Sequence, residues 1–177
     1  MNVDLDAVHR LRPLPSRPAR GRLFVPAQVI EASAAALLGS RGTDGAHEGL
    51  VFWAGWQLGI DTAVAFAVVP GADHGWGHVR ADESAMLAAT RSARSRGAAL
   101  LVQVHSHPGR DVRHSDGDDK LVHMPFEGMW SVVVGNYGSG LAAETPNVGL
   151  HQFQDGRWAR VDNTDEALIV LPPVIRP

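Results

Sequence analysis

Apolar residues along the chain fall into two rhythms, one helical and one extended. PAQVIEASAAALLGSRG, beginning at Pro26, spaces them as a helix does, with Pro26 in the first turn and Gly39 near the end. ADESAMLAATRSARSRG predicts a second helix, N-capped by Asp82 and stopped by Gly97. GLVFWAGWQLG and DTAVAFAVVPG are β-rich runs separated by a turn near Gly59 to Asp61, which predicts an antiparallel pair. AALLVQVHSH and MWSVVVGNYG are unbroken apolar runs, as in buried strands. VGLHQFQ and RWARV flank Asp155-Gly156, a strong hairpin signal. LIVLPPVIRP predicts a terminal strand whose prolines limit its pairing.

Between these runs the polar segments read as loops. Residues 11–20 carry three Pro and three Arg, so residues 1–24 are expected to be an irregular lead-in to one domain spanning 25–177. Residues 40–48 and the Gly- and His-rich residues 71–80, with an isolated Trp76, predict two more loops. PGRDVRHSDGDD leads into an expected short helix around Asp116 to Met124. The sum is an α/β or α+β domain with a central mixed sheet flanked by two main helices and no internal repeat.

Composition adds exclusions. A formal net charge of −3 gives no electrostatic case for nucleic acid or an anionic membrane. Cys is absent, which removes disulfides, thiolate metal sites and cysteine nucleophiles together. No apolar run approaches a membrane span or a signal sequence, so the expected location is the cytoplasm.

His105 and His107 are two apart at the end of a predicted strand. Alternation then points both imidazoles to one side, with Ser106 opposite. Pro108-Gly109 stops the strand, and the loop returns with several carboxylates. One of these would complete a two-His, one-carboxylate site with an open position, the pattern of catalytic zinc. The same donors also suit non-haem iron. Spacing alone does not choose among Asp111, Asp116, Asp118 and Asp119. Ser115 with Asp118 three residues on also resembles a helix-capping pair.

HSHPGRDVRHSDGD has the form H-x-H-P, six residues, then S-x-x-D. It resembles the signature of the JAMM metalloproteases, the JAB/MPN+ family, and the resemblance spans about residues 25–140. That family also has a Glu heading a short apolar run upstream, a position matched here by Glu48 before GLVFWAG. Glu48 is followed directly by Gly49, where many relatives have one or two residues first; Glu31 is the competing upstream Glu. The resemblance implies a JAB/MPN-like fold related to cytidine deaminases. It implies one zinc ion per chain on His105, His107 and Asp118, with Glu48 as general acid/base and Ser115 as a donor near the reacting carbonyl.

By the same resemblance, the expected reaction is hydrolysis of a peptide or isopeptide bond after the C-terminal glycine of a ubiquitin-like protein. Activating and conjugating enzymes of a bacterial system would be associated partners. A peptidase acting on a sulfur-carrier protein or its cysteine adduct, and a non-catalytic scaffold, are the alternatives. The family also implies that the 71–80 loop lines a substrate groove, where Trp76 would clamp an extended peptide. His9, His47, His74, His78, His114, His123 and His151 are expected at the surface or behind the site, with only His114 near enough in sequence to touch it. Phe52, Trp53 and Trp56 are expected in the core.

Overall fold

Alternation along the strand-forming runs decides which side of one sheet each residue meets. The computed structural model describes residues 10–122, 125–141 and 146–173. In chain order the elements begin with β1 (Ser16–Arg17), β2 (Leu23–Pro26), α1 (Ala27–Leu38), β3 (Arg41–Gly42) and β4 (Gly45–Ala46). There follow β5 (Leu50–Leu58), β6 (Asp61–Val68), β7 (Asp73–Gly75), β8 (His78–Arg80), α2 (Glu83–Arg94) and β9 (Ala99–Ser106). After them come β10 (Trp130–Val134), β11 (Val148–Gln154), β12 (Arg157–Val161), the one-turn α3 (Thr164–Ala167) and β13 (Leu168–Leu171).

Nine strands make one mixed sheet in the order β1-β12-β11-β10-β9-β5-β6-β2-β13. Its centre is an antiparallel β6-β5-β9 unit extended by β10, which runs parallel to β9. β3–β4 and β7–β8 form separate two-stranded hairpins. The mixed α+β fold expected from the sequence is the one the chain adopts.

The two helices cover opposite faces. Val51 and Trp53 of β5, Val102 and Val104 of β9, and Trp130, Val132 and Val134 of β10 pack in one core with Val29 and Leu37 of α1. Leu50 and Phe52 point the other way, into a smaller core with Ala89 of α2. α1 starts on an extended Pro26 and α2 on Asp82, whose carboxylate accepts the Ala85 N–H at 2.8 Å. Two buried indoles are tied down: Trp53 Nε1 donates to Ser33 Oγ at 2.7 Å, and Trp130 Nε1 to Thr62 Oγ1 at 3.0 Å. At β5 the register shifts on both sides near Ala54, where a Cβ on Gly55 would lie 1.9 Å from the Ala63 carbonyl oxygen.

Several sequence expectations need correction. The lead-in is partly a sheet edge: β1 pairs with β12, and Leu23 of β2 is fully buried. Proline composition hid this, because an edge strand needs only part of its N–H ladder. The 71–80 loop is the β7–β8 hairpin, and the 40–48 loop holds β3 and β4. The short helix after Asp116 is a 3-10 turn, Asp118–Lys120, and Met124 lies outside the described residues, as do His9 and His123. Trp56 is half exposed, its indole donating to the Gly97 carbonyl, whereas Phe52 and Trp53 are core. His47, His114 and His151 are buried. Among the described residues no helix is long and apolar enough to cross a membrane.

Candidate metal centre

β9 turns Val102 and Val104 toward α1 and leaves Gln103 and His105 on the opposite face. His107 follows just beyond the strand and meets His105, their Nε2 atoms 3.2 Å apart. Asp118 closes a triangle, with Oδ2 3.2 Å from His107 Nε2 and Oδ1 3.3 Å from His105 Nε2. All three side chains are buried. A tetrahedral ion with bonds of about 2.0–2.1 Å holds its ligands about 3.3 Å apart, so the triangle has the edge length of a zinc-type site. Two imidazole nitrogens and a carboxylate in mutual contact converge on one point, which a divalent cation between them would satisfy. The donor set fits a divalent metal.

Local contacts orient each ligand. His107 Nδ1 donates to the Asp111 carbonyl at 2.8 Å, which leaves Nε2 as the lone-pair nitrogen facing His105 and Asp118. Ser115 and Asp118 bond reciprocally: Ser115 N–H donates to Asp118 Oδ2, and Asp118 N–H donates to Ser115 Oγ. Ser115 therefore acts as the capping residue its spacing suggests, and its hydroxyl oxygen accepts from Asp118. Burial drives His105 toward its neutral form. Burial also works against the Asp118 carboxylate, but His105 and His107 outweigh it and hold Asp118 well below the usual carboxylate range. At His107 burial is likewise overcome, by Asp118 and the Asp111 carbonyl, and its pKa rises.

The other acidic candidates have separate tasks. Asp119 receives both a bidentate Arg10 and His114 Nδ1. Asp116 accepts the Leu11 N–H, and Asp111 pairs with Arg113. Only Asp118 enters the triangle.

Glu48 stands one residue before the pairing of Gly49 with Ser106. The Gly49 N–H donates to Ser106 Oγ at 2.9 Å, and the Ser106 N–H donates to the Gly49 carbonyl at 3.1 Å. Leu50 is opposite His105, so extending the antiparallel register sets Glu48 opposite His107. Gly49 is closely packed: a Cβ there would lie 2.7 Å from Ser40 Oγ, 3.0 Å from Leu37 Cδ2 and 3.2 Å from Leu37 Cα. That contact explains a Gly directly after Glu48. Burial raises the Glu48 carboxyl to about 7, against the pull of His107 and with the help of Asp118. Glu31 is exposed on α1 and takes no part.

The β7–β8 hairpin reaches the same place. Its Gly75 carbonyl accepts the Glu48 N–H at 2.9 Å, and His74 meets His47 through their Nδ1 atoms at 2.8 Å. From the other side, Tyr137 donates its N–H to the His107 carbonyl and its hydroxyl to the Trp76 carbonyl. Asn136 and Tyr137 both adopt φ of 54°, a left-handed conformation uncommon for a Tyr. This strained turn was invisible in the sequence, where NYG signals only the end of a strand. Trp76, at the hairpin tip, is half exposed.

The centre is thus an α+β sheet bearing a buried His-His-Asp group that could hold a metal ion, with the buried Glu48 next to it. The profile of the family described as prokaryotic homologs of the JAB domain matches residues 33–147, and the chain belongs to that family. A probable metalloprotease of Sinorhizobium fredii is 34% identical over 99 residues, covering 51% of this chain and 58% of the relative. The chain therefore matches less than two thirds of that relative's length. A solution structure of a protein from Desulfitobacterium hafniense superposes with a TM-score of 0.63 at 18% identity, over 86% of this chain and 94% of that one. It shares the fold. A JAB1/MPN domain protein from Archaeoglobus fulgidus superposes with a TM-score of 0.44 at 14% identity, over 85% and 96% of the two chains.

Proposed function

We propose that this protein is a zinc-dependent peptidase that cleaves after the C-terminal glycine of a ubiquitin-like protein, in linear or isopeptide linkage. The observation that carries the reading is the His105–His107–Asp118 triangle with the buried Glu48 carboxyl set beside it. A zinc ion held by these three residues supplies Lewis acidity and makes water acidic near neutral pH. Glu48 takes the proton from the attacking water and passes it to the departing amine, roles matched to a carboxyl poised near 7. Ser115 holds the Asp118 end of the triangle in place. Its hydroxyl proton, which the bond from Asp118 leaves uncommitted, is the donor offered to the reacting carbonyl.

The hairpin supports an extended substrate. β7–β8 is anchored near its tip by Glu48, which donates to Gly75, and by Tyr137, which donates to Trp76, and the Trp76 side chain is half exposed.

The test is to incubate the zinc-loaded protein with ubiquitin-like and sulfur-carrier proteins that carry C-terminal extensions, beside Glu48→Gln. Cleavage after glycine by the wild type and not by the variant is expected. Equal cleavage by both, or no cleavage of any glycine-ended candidate, sinks the proposal, while exclusive cleavage of sulfur carriers reassigns the substrate. Asp118→Asn, measured by elemental analysis, is expected to fall from about one ion per chain to a small fraction of that. Chelation should abolish activity in the wild type, and added zinc should restore it.

A further inference from the structure

On the sheet face that carries His105, each of four adjacent strands contributes a polar residue to one row. Gln103 of β9 lies opposite Ser131 of β10, Ser131 opposite His151 of β11, and His151 opposite Arg160 of β12. The loop after His107 folds over this row and seats His114 on it, with His114 Nε2 2.9 Å from Ser131 Oγ and its ring 4.9 Å from that of His151. The approach is close: a Cβ on Gly149 would lie 2.0 Å from the Val112 carbonyl oxygen.

Polar groups buried in this way ordinarily have partners. Here they do not all have them. Among the described residues the buried polar side-chain atoms without a partner are Gln103 Oε1, His105 Nδ1, His151 Nδ1 and Trp158 Nε1. All four belong to this one face. His151 is 1% exposed and also lines a cavity of about 280 Å³, to which Arg160 of the same row contributes.

The remaining lining sets the character of that cavity. Arg10, Arg113 and Arg160 contribute to it, His114 shares its wall, Leu14 adds an apolar side, and among the described residues no acidic one lines it. Arg10 and Arg113 are already paired, with Asp119 and Asp111. Arg160 has no carboxylate partner among the described residues, and it stands directly opposite His151 in the register. A guanidinium with no carboxylate partner among the described residues, beside a buried imidazole in a small cavity that no described acidic residue lines, suits an oxyanion.

We propose that this cavity is a second ligand site, separate from the metal centre, that binds a small organic anion through a carboxylate or phosphate group held by Arg160. His151 forms part of the wall beside Arg160, and Leu14 packs on the apolar body of the ligand. The volume is at the small end for a ligand pocket, which favours a metabolite-sized molecule over a peptide. The site does not depend on the peptidase reading. It borders the metal-bearing loop, because Arg10 and His114 both bind Asp119, the residue after the ligand Asp118.

The experiment is a calorimetric titration of the zinc-loaded full chain, at constant ionic strength, with inorganic phosphate and separately with benzoate. The same titrations are run on Arg160→Met, which alters an exposed side chain and should leave folding and peptidase activity intact. Saturable binding of at least one anion, weakened about tenfold or more in Arg160→Met, is expected. Phosphate alone or benzoate alone would identify the oxyanion group. Imidazole ¹⁵N spectra should show the His151 signals shifting on titration in the wild type and not in the variant. No saturable binding of either anion, binding unchanged in Arg160→Met, or His151 signals that stay still while an anion binds would overturn the assignment.

Discussion

The buried carboxyl of Glu48 ties the stability of the fold to pH. Burial raises the pKa of this carboxyl to about 7. A carboxyl raised in the folded state stabilises that state while protonated. The contribution is complete below the unfolded value, near 4.5, and is lost as the pH climbs through about 7. At pH 8 the metal-free protein therefore carries a buried charge that Glu48→Gln removes. The variant is expected to melt higher than wild type at pH 8 and at the same temperature near pH 4.5, read by thermal denaturation without metal. The proposed peptidase activity should fall about 10²- to 10⁴-fold in this variant with zinc content unchanged. In the wild type, activity should drop as acid protonates Glu48. Because a divalent cation beside a carboxylate lowers its pKa, that acid limb should lie at or below about pH 7. A variant that loses stability at pH 8, or keeps its activity, would show that Glu48 is structural.

At the scale of elements, α1 is held to the sheet by a polar contact as well as by packing. Ser33 Oγ donates to the Val29 carbonyl and accepts from the Trp53 indole, all in fully buried surroundings. Ser33→Ala leaves the indole N–H without a partner, and it should cost about 1–3 kcal/mol in denaturant unfolding. A loss near zero would mean that water replaces the hydroxyl. Most elements were legible in the sequence because their signals are local. Pro26, Asp82, Gly97 and Asp155-Gly156 mark ends that the chain obeys, and the period-two placement of His105 and His107 sets both on one face. What the sequence hid is non-local. Whether 71–80 forms a hairpin depends on partners at Glu48 and Tyr137. The buried state of His151 depends on a loop that begins some forty residues earlier in the chain. From spacing the four carboxylates were equivalent. They became distinct only through Arg10, Leu11 and Arg113, side-chain and backbone partners that spacing does not reveal.

Across the whole molecule, the centre is assembled from segments far apart in the chain, and Arg10 fastens two of them. It bonds the carbonyls of His114 and Ser115 and both oxygens of Asp119. Arg10→Ala should loosen the Ser115–Asp118 turn and weaken zinc binding, measured by competition with a chromogenic chelator, with little change in the far-ultraviolet dichroism of the sheet. Unchanged zinc affinity would assign Arg10 to the surface alone. Among the described residues the sheet does not close on itself, and its outermost strands are β1 and β13. β1 has two residues between Pro15 and Pro18, and β13 has four, followed by Pro172 and Pro173. Proline offers no N–H to an incoming strand, so both open margins are poor templates for a neighbouring chain. Replacing Pro172 and Pro173 with Thr extends a strand whose Val170 and Leu171 are already exposed. Such a protein should scatter light on gentle heating at concentrations where the wild type stays clear, because those prolines protect its colloidal solubility.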